Sequence, residues 1–141
     1  MYETCQNKQD AVKTLFKKFK SDDEKYAHVI EMGRSLPPYP KELKIPSLEV
    51  KGCQSTMYLQ SELKEGKVYF NVDSDALISK GLAALLIEVY SGESPESILK
   101  CPPDYLEQIG ITANLTPNRA NGLYSIHLRM KQEALKLLLG K

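Results

Sequence analysis

Cysteine and histidine are the side chains best able to act as nucleophile or base near neutral pH. This chain has few of either: Cys5, Cys53 and Cys101, with His28 and His127. Only Cys53 has a setting that suits chemistry. It stands in the run VKGCQSTMY, residues 50–58, between a glycine and a polar triplet. Gly52 permits backbone geometry closed to other residues, and Gln54, Ser55 and Thr56 are poor core formers. A thiol on such a loop reaches a partner, and thiolate character with access is what makes cysteine reactive. Cys5 falls in a terminus expected to fray. Cys101 precedes two prolines in an expected connector. Both histidines fall on helical patterns and read as packed or surface residues. The sequence has no CxxC pair, and its histidines lie far from its cysteines, so a structural zinc site is not expected. GxGxxG, Walker, HExxH and GxSxG patterns do not occur in the sequence either, which leaves nucleotide, metalloprotease and α/β-hydrolase chemistry without their usual signatures.

Two further stretches carry residues that local structure does not fully explain. In DSD, residues 73–75, the acids and the hydroxyl suit a helix N-terminus. That covers Asp73 and Ser74; Asp75 is either a first-turn residue or a partner contact, and spacing does not decide. In NRANGL, residues 118–123, Arg119 falls in the first turn of the last helix, against the dipole. Gly122, inside the same helix, costs about 1 kcal/mol relative to alanine. Two unfavourable local choices in four residues point to a tertiary or functional demand.

The elements that must position these residues follow from periodicity. Residues 9–20 read as an amphipathic helix through Val12, Leu15, Phe16 and Phe19. A second helix starts at Ser21, with Glu24 completing a capping-box pattern, and ends near Gly33 before the prolines at 37, 38 and 40. After an irregular connector the period changes to two. TMYLQSEL and VYFNV, separated by KEGK, read as a β-hairpin, and residues 47–51 are expected to add a short third strand. A strongly apolar helix follows, capped by Asp73 or Ser74, with Gly92 just past its end. Two short helices come next, then a long one with Thr116 as N-cap and Pro117 at its first position. The expectation is a single α+β domain over residues 1–141, with helices packed on a small antiparallel sheet of about three strands.

Composition narrows the functional classes. The chain has 141 residues, 42% hydrophobic and 26% charged, with a net charge of +1. That near-neutral balance gives no electrostatic reason to expect nucleic acid or anionic membrane as a partner. Lys13, Lys17, Lys18 and Lys20 form a local basic patch that reads as a solvated helix face. No segment is apolar enough to span a bilayer, and the first ten residues carry no signal-like apolar run. The expected location is the cytosol, where thiols stay reduced, or an organelle interior if a transit segment was trimmed away.

Taken together, the motifs resemble the SufE family of sulfur-acceptor proteins. The resemblance runs through DDEKYAHVIEMGRSLP, VKGCQSTMYL, DSDALISKGLAALLIEVYSGESPESIL and LTPNRANGLYSI, in order and at matching separations. Tyr58 stands where a Trp is common, and Val72 where a glycine often precedes the DSDA run. The resemblance implies a fold like that of the scaffold IscU. It implies that Cys53 takes persulfide sulfur from a pyridoxal-phosphate cysteine desulfurase of SufS or CsdA type. The sulfur would pass toward an iron–sulfur scaffold complex of SufBCD kind. The pyridoxal phosphate would belong to the partner, and this chain would hold no cofactor or metal of its own. Gly52, Gln54, Ser55, Asp75 and Arg119 would support the loop or the partner interface. Three rival readings stand beside it: a CsdE-type acceptor for another pathway, an interaction module with structural cysteines, and a thiol enzyme such as a peroxidase.

Overall fold

The computed structural model describes residues 2–53, 55–113 and 115–140. Its hairpin follows from the alternation of its two strands. Strand β1 (Met57–Lys64) and strand β2 (Lys67–Ser74) pair antiparallel from Met57–Ser74 to Lys64–Lys67. Glu65 and Gly66 join them, both at positive φ (51° and 78°), as a two-residue hairpin turn of type I′ requires. Met57, Leu59, Val68, Phe70 and Val72 face inward and are buried, each contributing about 1.5–3 kcal/mol by leaving water. The sheet has these two strands among the described residues. The third strand expected over residues 47–51 is reduced to a single bridge, Glu49 with Tyr58. Pro46 starts a 3-10 turn (Pro46–Leu48) that consumes the residues a strand would need.

Helix α1 (Glu3–Phe16) starts and stops earlier than the expected 9–20. Its buried face is Cys5, Gln9, Val12 and Phe16, so Cys5 lies in the core and not in a frayed end. Helix α2 (Asp22–Arg34) has Ser21 as its cap, whose Oγ accepts from the Glu24 N–H at 3.2 Å. Glu24 closes the other half one residue further out, accepting from the Lys20 N–H. Gly33 does not weaken this helix so much as admit a neighbour. Helix α3 (Leu77–Tyr90) crosses α2 so closely that a Cβ on Gly33 would come within 2.8 Å of the Gly81 nitrogen. A Cβ on Gly81 would collide with the Val29 carbonyl oxygen.

Helix α3 is the buried centre, with Leu82, Ala83, Leu85, Leu86, Val89 and Tyr90 almost without exposure. Its N-cap is Ala76, which makes no side-chain cap, in place of the expected Asp73 or Ser74. Ser74 ends β2, and its Oγ accepts from the Ala76 N–H at 3.2 Å in the turn between the elements. Asp73 pairs with Lys44 at 2.9 Å and Lys80 at 3.5 Å. Gly92, at φ 85°, follows the helix end as expected.

Helix α4 (Pro95–Lys100) and the single turn α5 (Tyr105–Gln108) lead to the 22-residue helix α6 (Pro117–Leu138). Cys101 is the C-cap of α4 and is 2% exposed, so it belongs to the core and not to a free connector. Thr116 caps α6 and accepts from the Arg119 N–H at 3.3 Å. Helix α6 packs against α3, α4 and β1. Its N-terminal end therefore lies beside the start of α3 and the entry to β1.

Candidate functional site

The entry to β1 is a short loop with a firm base. The Val50 N–H donates to the Met57 carbonyl at 2.8 Å, so residues 51–56 leave and re-enter at one point. Arg129 of α6 secures that base. Its guanidinium donates to the Glu49 carbonyl at 2.9 Å and the Ser47 carbonyl at 2.6 Å. Its Nε pairs with Glu133 at 3.2 Å, and Glu133 also accepts from the Ser61 hydroxyl of β1 at 3.0 Å. One side chain thus ties the approach to the loop, the helix and, through Glu133, the strand.

Gly52 sits at φ 85°, a conformation side-chain-bearing residues rarely adopt. A Cβ there would also come within 2.5 Å of Ser125 Oγ. This turn carries Cys53 inward, half-buried, with its thiol 3.6 Å from the Gly122 carbonyl oxygen. Gly122 has no side chain to stand in the way; a Cβ there would lie 3.7 Å from Cys53 Sγ. That is an ordinary contact, so the glycine in α6 leaves room beside the sulfur without being sterically required there. On the far side of the loop, the Ser55 and Ser79 hydroxyls bond each other at 3.0 Å.

The thiol opens on a cleft of about 360 Å³ between the N-terminal ends of α3 and α6. Leu82, Leu123 and Ile126 form its buried apolar lining, while Leu77 is 55% exposed beside it. Arg119 also lines this cleft. It is exposed and makes no ion pair among the described residues. Burial pushes the Cys53 thiol above its ordinary pKa. In this position it is protonated at neutral pH and is a weak nucleophile. Arg119 does act on Tyr26 of α2: burial raises that phenol first, and the Arg119 charge opposes it.

The structure therefore brings Gly52, Cys53, Ser55 and Arg119 to one cleft. Asp75 is exposed, and its link to the loop runs through its backbone, the N–H donating to the Thr56 carbonyl at 3.4 Å. Its carboxylate makes no hydrogen bond or ion pair among the described residues. Gln54 lies outside the described residues. Sequence reasoning missed Ser79, Ser125 and Arg129, whose partners are 24, 73 and about 80 residues away. The remaining cysteines are closed off. Cys5 and Cys101 are both buried in the core, and burial raises both thiols. No group of three or more His, Cys, Asp or Glu among the described residues is arranged to hold a metal ion. No helix among them is long and apolar enough to cross a membrane.

Helices packed on a hairpin, with one accessible thiol on a loop at an apolar cleft, define a small α+β thiol protein. Residues 10–134 match the SufE family, described as an Fe-S metabolism associated domain, and the chain belongs to that family. It is similar to an uncharacterized SufE-like protein of Synechocystis, 38% identical over 89% of this chain and 79% of that one. It is 40% identical to the cysteine desulfuration protein SufE of Plasmodium vivax, over 76% of this chain and 44% of that one. It is 34% identical to SufE-like protein 1, chloroplastic/mitochondrial, of Arabidopsis thaliana, over 92% of this chain but 35% of that one. The latter two are thus more than twice as long as the part this chain matches. The fold matches the solution structure of a hypothetical protein from Thermus thermophilus with a TM-score of 0.79 and 28% identity, over 94% of this chain and 96% of that one.

Proposed function

We propose that this protein accepts sulfur on Cys53 from the persulfide of a cysteine desulfurase and relays it toward iron–sulfur cluster assembly. The observation that supports this most is the contrast among the cysteines: Cys53 alone is not buried in the core. Membership of the SufE family and the name of the Plasmodium vivax relative point the same way.

In the exchange, the Cys53 thiol gives up its proton as it leaves the cleft. Its thiolate attacks the outer sulfur of the partner's cysteine persulfide. The partner's S–S bond breaks, its cysteine departs as thiolate, and Cys53 carries the terminal sulfur. A nearby thiol would attack that persulfide and release sulfide, so burial of Cys5 and Cys101 protects the load. The apolar cleft shields it from small thiols. The desulfurase, of SufS or CsdA type, supplies the pyridoxal phosphate; the receiving scaffold is of SufBCD kind. The reading places the exchange in the cytosol, where free thiols persist.

Incubation with a desulfurase and free cysteine tests this. Intact mass spectrometry should register added sulfur, and peptide mapping should place it on Cys53. Cys53→Ser should remove both the label and any stimulation of the desulfurase. Sulfur spread equally over Cys5 and Cys101 would sink the reading, and full stimulation by the serine variant would make the contribution allosteric.

A further inference from the structure

The cleft buries the thiol that the proposed exchange must expose, so something sets how often the loop opens. We propose that Ser79 and Ser125 are positioning residues for Cys53. Their hydroxyls hold Ser55 and Gly52, the shoulders of the loop on either side of Cys53, against α3 and α6, while Arg129 fixes the approach at Ser47 and Glu49. The inference rests on the sulfur-acceptor reading for its purpose, but not for its geometry.

The shoulders are held differently from the base. Ser79 Oγ meets Ser55 Oγ at 3.0 Å on the side that leads into β1. Ser125 Oγ donates to the Gly52 carbonyl at 3.4 Å on the side that leaves Val50. Each is a single neutral contact between a helix and the loop, and each is partly open to water, which replaces it when the loop lifts. The base is held by a backbone bond of 2.8 Å, a buried Val50 and the two bonds from a charged guanidinium. Bonds from a charged donor are roughly twice as strong as neutral ones. Beside the long bonds from the Asp75 N–H to the Thr56 carbonyl at 3.4 Å and from the Cys53 thiol to the Gly122 carbonyl at 3.6 Å, the two serine contacts are what hold Gly52 and Ser55 to the helices, and they yield before the base does.

The two serines also explain a choice of residue type. Helix α3 is apolar along most of its length, and a hydroxyl in its first turn contributes nothing to that packing. Ser125 lies directly under Gly52, where a larger side chain would force the loop outward.

Loss of one such bond should raise the open population about three- to tenfold. The measurement is the rate at which iodoacetamide alkylates Cys53, followed by mass spectrometry, with amide hydrogen exchange in parallel. Ser79→Ala should speed alkylation about three- to tenfold, and Ser79→Thr, which keeps the hydroxyl, should return it close to the parent rate. Ser125→Ala should act in the same direction, and the double variant should exceed either single one. The Val50 amide should keep its protection throughout. Cys5 and Cys101 report folding within the same spectra, because their labelling requires unfolding; if Ser79→Ala labels them, Ser125→Ala decides.

An unchanged rate in the double variant would overturn the inference. So would Val50 exchange that accelerates together with the loop, since the base would then move too. Sulfur loading of the parent protein by a desulfurase is measured separately. Failure of that loading, with the alkylation pattern intact, would remove the sulfur-acceptor reading and leave the latch standing.

Discussion

The Cys53 thiol donates to the Gly122 carbonyl oxygen at 3.6 Å. A carbonyl accepts from the protonated sulfur and offers nothing to the thiolate. Burial acts in the same direction and raises the thiol above its ordinary value. Alkylation of Cys53 in the free protein should therefore keep accelerating with pH beyond 9. In denaturant the profile should fall back to that of an ordinary cysteine, near 8.5. A midpoint below 8 in the folded protein would mean that a cation, with Arg119 the nearest candidate in the cleft, stabilises the thiolate at rest.

Gly122→Ala should separate stability from function. The new methyl would lie 3.7 Å from Cys53 Sγ, an ordinary contact, so the fold accommodates it. Helix α6 gains up to about 1 kcal/mol of propensity, seen as a higher midpoint in urea. The methyl occupies space that a second sulfur on Cys53 would use, so loading by a desulfurase should slow. Equal loading rates in the two proteins would show that the carried sulfur resides elsewhere.

Arg119→Ala should change stability by no more than about 0.5 kcal/mol, as for other exposed positions away from the core. Its backbone N–H still bonds Thr116, so the helix cap survives. Transfer of sulfur from the desulfurase should fall several-fold. A melting temperature that drops while transfer holds would assign Arg119 to the fold alone.

His127 makes stability depend on pH in a defined window. Burial lowers its pKa from 6.5 to about 4, with Lys131 adding to the effect. Its ring packs on Tyr90 at a centroid distance of 5.0 Å, and its Nε2 has no partner among the described residues. Between those two values the unfolded chain binds a proton that the folded one refuses. Stability should therefore fall as pH drops from 6.5 to about 4, by as much as about 3 kcal/mol. Asp73, held below the usual carboxylate range because Lys44 and Lys80 outweigh its burial, adds its loss only at lower pH. Thermal melts of the parent and of His127→Phe across pH 4–7 check this: the variant's curve should be flatter, and parallel curves would refute the assignment.

What sequence made legible was local. The hairpin showed in its alternation, and Ser21 and Thr116 were readable as caps because capping acts within four residues. Cys53 stood out because a glycine and three polar residues surround it. The start of α1 was hidden by Gln9, a polar residue on the buried stripe. It is buried because its amide donates to Cys101 Sγ at 3.3 Å and the Pro102 carbonyl at 2.8 Å, some ninety residues away. The same long-range packing of α1 puts Cys5 and Cys101, which read as loose ends, in the core. Asp73 had the right chemistry for a cap, but two lysines from outside the local segment claimed it. Ser79, Ser125 and Arg129 have no local signature at all, since each acts on backbone or side chain brought in by the fold.

The bridge at Glu49 has a counterpart on the opposite margin of the hairpin. There the Val68 N–H donates to the Glu93 carbonyl at 2.8 Å and the Gly92 N–H to the Val68 carbonyl at 2.7 Å. Glu93 is itself anchored by Lys8 at 2.7 Å and Thr4 at 2.7 Å. Each outer margin is thus occupied along one end, at Tyr58 on one strand and at Val68 on the other, and the turn between them is flanked by Lys64 and Lys67. A second molecule seeking to extend the sheet would find no full-length template on either side, and charged side chains of both signs near the turn. The ribbon at the centre of the fold therefore presents only part of each margin's backbone to an incoming strand.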